Sequence, residues 1–240
     1  TWAEQARPWI DYLSRCAFML QQGKAVTDVA YFYGEEAPLS GLYSLALPEG
    51  LPAGYGYDFI NAPMLINQLS VDGNRLVTPS GMQYSLLFLG EKSAYMSLPV
   101  LKKIRDLVKE GAILVGEKPL GSPSLLDDPE AFEQIANELF AEGSVGGELA
   151  DRGYQGRVYS GKTPFEVLSE LNVGQDFSYH TPGGINAGLE FRPQELCDGH
   201  IYYVASSTSK QARTRSRYSG TGIPDQRWQP VTCPMGSRPL

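Results

Sequence analysis

Two adjacent carboxylates, Glu35 and Glu36, follow, after Gly34, a short apolar run from Val29 to Tyr33 that reads as a strand. Open α/β sheets gather ligand-contacting residues in the loops after their strands, so these acids sit where chemistry is expected. Paired carboxylates can donate and accept protons at a glycosidic bond. Adjacent residues on extended backbone nevertheless point to opposite sides, so this pair would not flank one bond together, and a solvated loop end is its commoner use. Further along the same loop, Tyr55-Gly56-Tyr57-Asp58-Phe59 combines flat aromatic faces with a carboxylate, the surface on which a sugar ring stacks. Aromatics beside a helix start more often serve in packing. Glu35, Glu36, Tyr55 and Tyr57 are therefore the candidate substrate-binding residues, and no residue is assigned a catalytic role.

Other spacings carry less. Cys197 and His200 form C-x-x-H, but a structural zinc needs four ligands and the only other histidine is His180, so no metal site is expected. Ser207-Thr208-Ser209-Lys210 matches S-x-x-K yet follows a strand rather than opening a helix. Arg213, Arg215 and Arg217 alternate and would share one strand face, as a solvated surface first and a contact for an acidic neighbour second. Neither G-x-G-x-x-G nor G-x-x-x-x-G-K-[ST] follows the first strand, so a nucleotide cofactor lacks its usual phosphate cradle, and no cofactor is expected in the chain. The turn Gly90-Glu91-Lys92-Ser93 holds no cysteine, which argues against amidotransferase-type nucleophilic chemistry.

These candidates need a scaffold, and the periodicity supplies one. Trp2, Ala6, Trp9, Leu13, Cys16 and Leu20 recur at helical steps, and Thr1 with Glu4 forms a capping box at the start. After Gly23 the pattern becomes a buried strand near Val29 to Tyr33, followed by a long loop to Tyr57 that also holds Tyr43. Asp58 is then expected to cap a helix carrying Phe59, Ile60, Ala62, Leu65, Ile66 and Leu69. A short strand is expected at Leu76-Val77, a strong one over Tyr84 to Leu89, a helix capped by Ser97 and stopped by Gly111, and a strand over Ala112 to Val115. A helix from Pro129 to Phe140, a glycine-rich loop over Gly143 to Gly153, a strand at Arg157 to Tyr159 and a capping box at Thr163 and Glu166 complete the series. Short strands alternating with helices predict a flavodoxin-like α/β domain, a parallel sheet with helices on both faces.

Past Phe177 the helical period stops. Gly188 to Phe191, His200 to Ala205 and Arg213 to Tyr218 read as strands of a partial, β-rich, sandwich-like segment. The expected division is a helical piece over 1–24, the α/β domain over 25–178 and the β-rich segment over 179–240. A charge of −7, from 20 basic and 27 acidic side chains, repels phosphate backbones and anionic membranes, so nucleic acid and membrane are not expected partners. No run approaches the ~18–20 apolar residues of a membrane span. Three cysteines at these spacings define no disulfide framework.

Thr1-Trp2 through Tyr12-Leu13-Ser14-Arg15 to Gly23, then Thr27-Asp28-Val29-Ala30-Tyr31-Phe32-Tyr33-Gly34-Glu35, and Tyr57-Asp58-Phe59-Ile60-Asn61-Ala62, in this order and spacing, resemble the glycoside hydrolase family 106 α-L-rhamnosidases. Leu76-Val77-Thr78-Pro79-Ser80-Gly81-Met82-Gln83-Tyr84 and Gly116-Glu117-Lys118-Pro119 with Ser122-Pro123-Ser124-Leu125 continue the likeness. In the tail, Asp198 to Ala205, Pro224 and Trp228-Gln229-Pro230-Val231-Thr232 also resemble it. There a family Asp is replaced by Gln229, a Gly by Cys233, and a His-Arg pair is missing near Phe191-Arg192.

The resemblance implies an inverting hydrolase of terminal α-L-rhamnose in glycans, with two carboxylates and a calcium-assisted site on an upstream (β/α)8 barrel. The first helix resembles that barrel's last one, so the implied catalytic groups lie outside the chain, which becomes an accessory C-terminal region of a bacterial, periplasmic or secreted enzyme. Alternatives are an oligomerisation module that forms a homo-oligomer, and a stand-alone carbohydrate-binding module built on the aromatic loop.

Overall fold

The computed structural model describes residues 2–35, 49–140, 153–180, 189–206 and 215–218. Thr1, Glu36, Tyr43, Gly143, the Ser207 to Lys210 motif, Arg213 and the stretch from Pro224 to Cys233 lie outside the described residues. In chain order, α1 (Trp2–Leu20) and β1 (Lys24–Ala25) precede β2 (Val29–Phe32), β3 (Tyr57–Ile60) and α2 (Ala62–Gln68). Next come β4 (Ser70–Asp72), β5 (Arg75–Val77), β6 (Gln83–Tyr84), β7 (Leu86–Leu89), α3 (Leu98–Glu110) and β8 (Ile113–Val115). Then follow α4 (Pro129–Leu139), β9 (Arg157–Tyr159), α5 (Pro164–Glu170), β10 (Phe177–His180), β11 (Leu189–Glu195), β12 (His200–Ser206) and β13 (Arg215–Tyr218). The chain divides into two compact units, Thr27–Gln175 and Thr1–Val26 with Asp176–Leu240.

In the unit Thr27–Gln175, five strands pair in parallel in the order β3-β2-β7-β8-β9. Numbered by chain order these are 2-1-3-4-5, the flavodoxin-like doubly wound arrangement, whose switch point falls between β2 and β7. Every residue of β2 and β8 is buried, as befits strands covered on both faces. Alternation sends Ala30, Phe32, Leu87, Leu89 and Leu114 to one face, against buried side chains of α2, α3 and α4. Val29, Tyr31, Leu86, Ile113 and Val115 go to the other, where Val167 and Leu168 of α5 meet Leu51 and Tyr55.

The helices form where stripes and caps agree. In α3, Leu98, Leu101, Ile104, Leu107 and Val108 are all buried, one apolar stripe at steps of three and one. Gly111 ends it at φ +128°, where a side chain would press on the Gly73 carbonyl. Thr163 and Glu166 make the expected reciprocal box, with Pro164 in the first turn of α5. A small antiparallel sheet, β4-β5-β6, adds Leu76 and Tyr84 to the first core.

Two expectations are corrected here. Residues 57–60 are a strand, because the Tyr-Asp-Phe-Ile run pairs with β2 in parallel, Val29 opposite Tyr57 through Phe32 opposite Ile60. The helix begins only at Ala62, capped by Asn61 Oδ1 accepting from Met64 N at 2.8 Å, with Pro63 in its first turn. Asp58 instead accepts from the fully buried Tyr84 hydroxyl at 3.0 Å. The strand expected over Tyr84 to Leu89 is broken at Ser85, whose backbone N and Oγ both bond to Asp28, so that β6 pairs with β5 and β7 with β2.

In the second unit β1, β11 and β12 form an antiparallel sheet, and β10 pairs with β13. The strand β10 lies just where the sequence was read only as the end of the α/β domain. None of the described residues of α1 is buried: Trp2 is 84% exposed and Trp9 62%. Its ties within this unit include the Tyr203 hydroxyl donating to Cys16 Sγ at 3.4 Å and Gln194 Nε2 donating to Leu20 O at 3.4 Å.

Because Leu114 is fully buried at the centre of the sheet, Leu114→Ala should cost about 3 kcal/mol from lost burial and the cavity left behind. Urea unfolding, followed by circular dichroism, measures this directly.

Candidate functional site

The carboxyl edge of the sheet at the switch point is the place to look for a site, because the loops leaving β2, β7 and β8 converge there. The chain leaves β2 through Gly34, whose φ of +85° and close approach to the Lys92 carbonyl leave no room for a Cβ. Gly90 N donates to Phe32 O at 2.9 Å and Ser93 Oγ donates to the same oxygen at 3.1 Å. The ends of β2 and β7 are thereby locked together.

Glu35 follows immediately, and its carboxylate is occupied. Oε2 accepts from the backbone N of Ser97 at 2.6 Å and Oε1 from Ser97 Oγ at 3.2 Å. Ser97 is the N-cap of α3 but makes no capping bond with its own side chain. Glu35 serves that backbone N–H instead, and Asp127 Oδ2 serves the next one, accepting from Leu98 N at 2.6 Å. Such charge-assisted bonds to a helix start are short and favourable. Asp127 also accepts from Ser122 Oγ at 2.6 Å. The Ser122 hydroxyl, followed by the Leu98 N–H, holds the Asp127 carboxyl below the usual range.

A second pair of acids is formed by Glu49 and Glu91. Glu91 follows β7 and shares a hydrogen bond with Glu49; that bond, and then the charge of Glu49, raises the Glu91 carboxyl. The Tyr31 hydroxyl is raised by burial and then by the charge of Glu91. Two carboxyls bonded to each other can share a proton, but they leave no room for a sugar and a water between them. Inverting hydrolysis needs a separation of roughly 6.5–9.5 Å. In the sequence, the one signal for this pair is an acid, Glu91, separated from the end of the β7 run by Gly90 alone.

The expected aromatic contribution falls elsewhere. Tyr57 is opposite Val29, at the amino end of the sheet, whereas Glu35 lies beyond the carboxyl end of β2. Tyr55 is 5% exposed, its hydroxyl donates to Val173 O at 3.0 Å, and its ring meets Phe165 edge-on. Tyr57 is half-buried and edge-on to Phe59. The structure therefore does not bring Glu35 together with Tyr55 and Tyr57, and Glu36 is outside the described residues. Among the described residues, no group of three or more His, Cys, Asp and Glu side chains could hold a metal ion.

Fold and edge together define a doubly wound α/β domain, followed by β-rich structure, whose edge acids Glu35 and Asp127 are bound to its own backbone. Sequence comparison then places it: the profile of the alpha-L-rhamnosidases, glycoside hydrolase family 106, matches residues 1–237, and the chain belongs to that family. A Formosa agariphila protein with a provisional beta-glucuronidase name is 45% identical over 233 residues, 95% of this chain and 18% of that protein. The solved rhamnosidase from Novosphingobium sp. PP1Y superposes with a TM-score of 0.78 at 35% identity, over 92% of this chain and 21% of that one. The chain thus spans about a fifth of the length of these relatives.

Because the Asp127 carboxyl is lowered in the folded state, its stabilisation is complete above the ordinary aspartate value of about 3.9 and is lost as pH falls through its own lower value. Asp127→Asn keeps an acceptor for the Leu98 N–H but removes the charge, and should therefore lower stability at pH 7 by about 0.3–1 kcal/mol, the worth of an exposed carboxylate at a helix start. The gap to the unsubstituted chain should close as the pH drops below 4. Melting temperatures across pH 3–7 test both parts.

Proposed function

We propose that this chain is the accessory C-terminal region of a larger α-L-rhamnosidase-like glycoside hydrolase acting on terminal rhamnose in glycans, with its catalytic carboxylates outside these residues. The observation that carries this reading is the engagement of the acids at the sheet's carboxyl edge. Glu35 and Asp127 cap α3, and Glu49 and Glu91 bond to each other. Each of these carboxyls is engaged by a partner within the chain rather than left free to act across a glycosidic bond and a water. Family membership supplies the reaction class, and the one-fifth span supplies room for a catalytic barrel upstream.

In this reading the exposed apolar stripe of α1 packs against that upstream barrel, where the calcium implied by the family would also sit. A rhamnose-containing glycan is the substrate. The provisional name of the Formosa relative favours a uronic acid instead, but both the family and the Novosphingobium structure favour rhamnose. The resemblance to this family is what supports a periplasmic or secreted enzyme.

The full product of the encoding gene should hydrolyse an aryl α-L-rhamnoside and leave an aryl β-glucuronide intact, while the 240-residue chain hydrolyses neither. Turnover by the short chain that disappears in Glu91→Gln would overturn the accessory role. Glucuronide cleavage by the long protein would move the substrate.

A further inference from the structure

We propose that the loop between β8 and α4, with Tyr95 beside it, is a preformed interface that seats on the remainder of the longer polypeptide. This goes beyond the accessory role just described and rests on it only in requiring a longer protein. The loop inverts the usual arrangement of polar and apolar groups. Its two central serines turn inward: Ser122 Oγ donates to Asp127 and accepts from Ser124 N at 3.0 Å, and Ser124 Oγ accepts from Leu126 N at 3.3 Å. Its leucines turn outward. Leu125 is 103% exposed, Leu126 97% and Leu120 73%, with Tyr95 at 43%.

The segment is also held in place. Leu120 N donates to Ala94 O at 2.7 Å, Met96 N to Gly121 O at 3.1 Å, and Tyr95 bridges Gly121. Asp127 fastens its far end to the start of α3. A single exposed leucine is ordinary on a protein surface. Three on one braced loop present apolar area at little conformational cost, which is what a binding surface needs. Residues 119–126 carry no charge, while Glu117 and Lys118 precede them and Asp127 and Asp128 follow. An uncharged centre inside a charged rim is the composition of an interface core.

Two observations select the occupant. Both relatives extend to about five times the span matched here, so most of the polypeptide lies outside this chain and, being tethered, is present at high effective concentration. A second copy would bring a second net charge of −7, which opposes association at long range.

The test uses Leu125→Cys in the full gene product and in the 240-residue chain. Modification of that position by a soluble maleimide is read peptide by peptide in a mass spectrometer. Labelling should be at least tenfold slower in the long protein. A double substitution, L125D with L126D, should lower the melting temperature of the long protein by at least about 3 °C and leave the short chain unchanged, because these side chains contribute nothing to its own core.

Equal labelling in both proteins would show a solvated loop and overturn the proposal, as would a reading frame that ends with this chain. Concentration-dependent association of the short chain that L125D with L126D removes, together with equal labelling at high dilution, would replace the occupant with a second copy. The two readings separate cleanly. A long protein that shields position 125 without cleaving the rhamnoside keeps the interface and loses the activity, and the reverse result loses only the interface.

Discussion

The start of α3 is the joint on which the carboxyl edge of the sheet depends. A helix start exposes backbone N–H groups with no partner inside the helix, and the aligned peptide dipoles add positive potential there. Glu35 takes the Ser97 N–H and Asp127 takes the Leu98 N–H, each at 2.6 Å. The first arrives from the end of β2 and the second from the loop after β8, so one helix terminus ties together the loops of three neighbouring strands. The tie propagates outward. With Asp127 fixed, Ser122 and Ser124 have fixed partners, and the leucines between them and Asp127 have nowhere to point but solvent.

How far the sequence revealed this depends on the range of each interaction. The stripe of α3, the span of α4, the reciprocal box of α5 and the buried runs of β2 and β8 are local patterns, and each forms where its period and punctuation place it. What failed was long-range. Tyr57 to Ile60 become a strand because β2 offers a parallel partner, which no local window reveals. The same pairing carries Tyr57 back to the amino end of the sheet, away from Glu35, and that separates the two halves of the expected sugar-binding loop.

Glu35 illustrates the same limit from the side of chemistry. Its place after a strand marked it as a candidate ligand contact, and its position at the edge is as expected for an acid leaving β2. Its partner, however, lies 62 residues away in sequence, and the companion bond from Asp127 spans 29. Spacing rules cover neighbours three or four apart on a helix or opposite one another in a hairpin, so neither bond could be inferred. Ser97 was correctly placed as the cap position, but the capping groups come from elsewhere.

The occupied terminus also bears on how the edge works. Doubly wound sheets bind ligands at this edge largely because free N–H groups at helix starts receive anionic or polar groups. Here two carboxylates of the protein already fill that role at α3, and bringing a sugar hydroxyl or an anion to the same N–H groups would mean displacing charge-assisted bonds. The alternative use of such an edge is to present shape. A loop with its polar groups satisfied internally and its apolar groups outside recognises another protein surface rather than a soluble sugar, whose hydroxyls would find no partners on leucine. A fold shared with many ligand-binding domains therefore does not by itself assign ligand binding to this one. The destination of each hydrogen bond decides it, and at α3 those destinations lie within the chain.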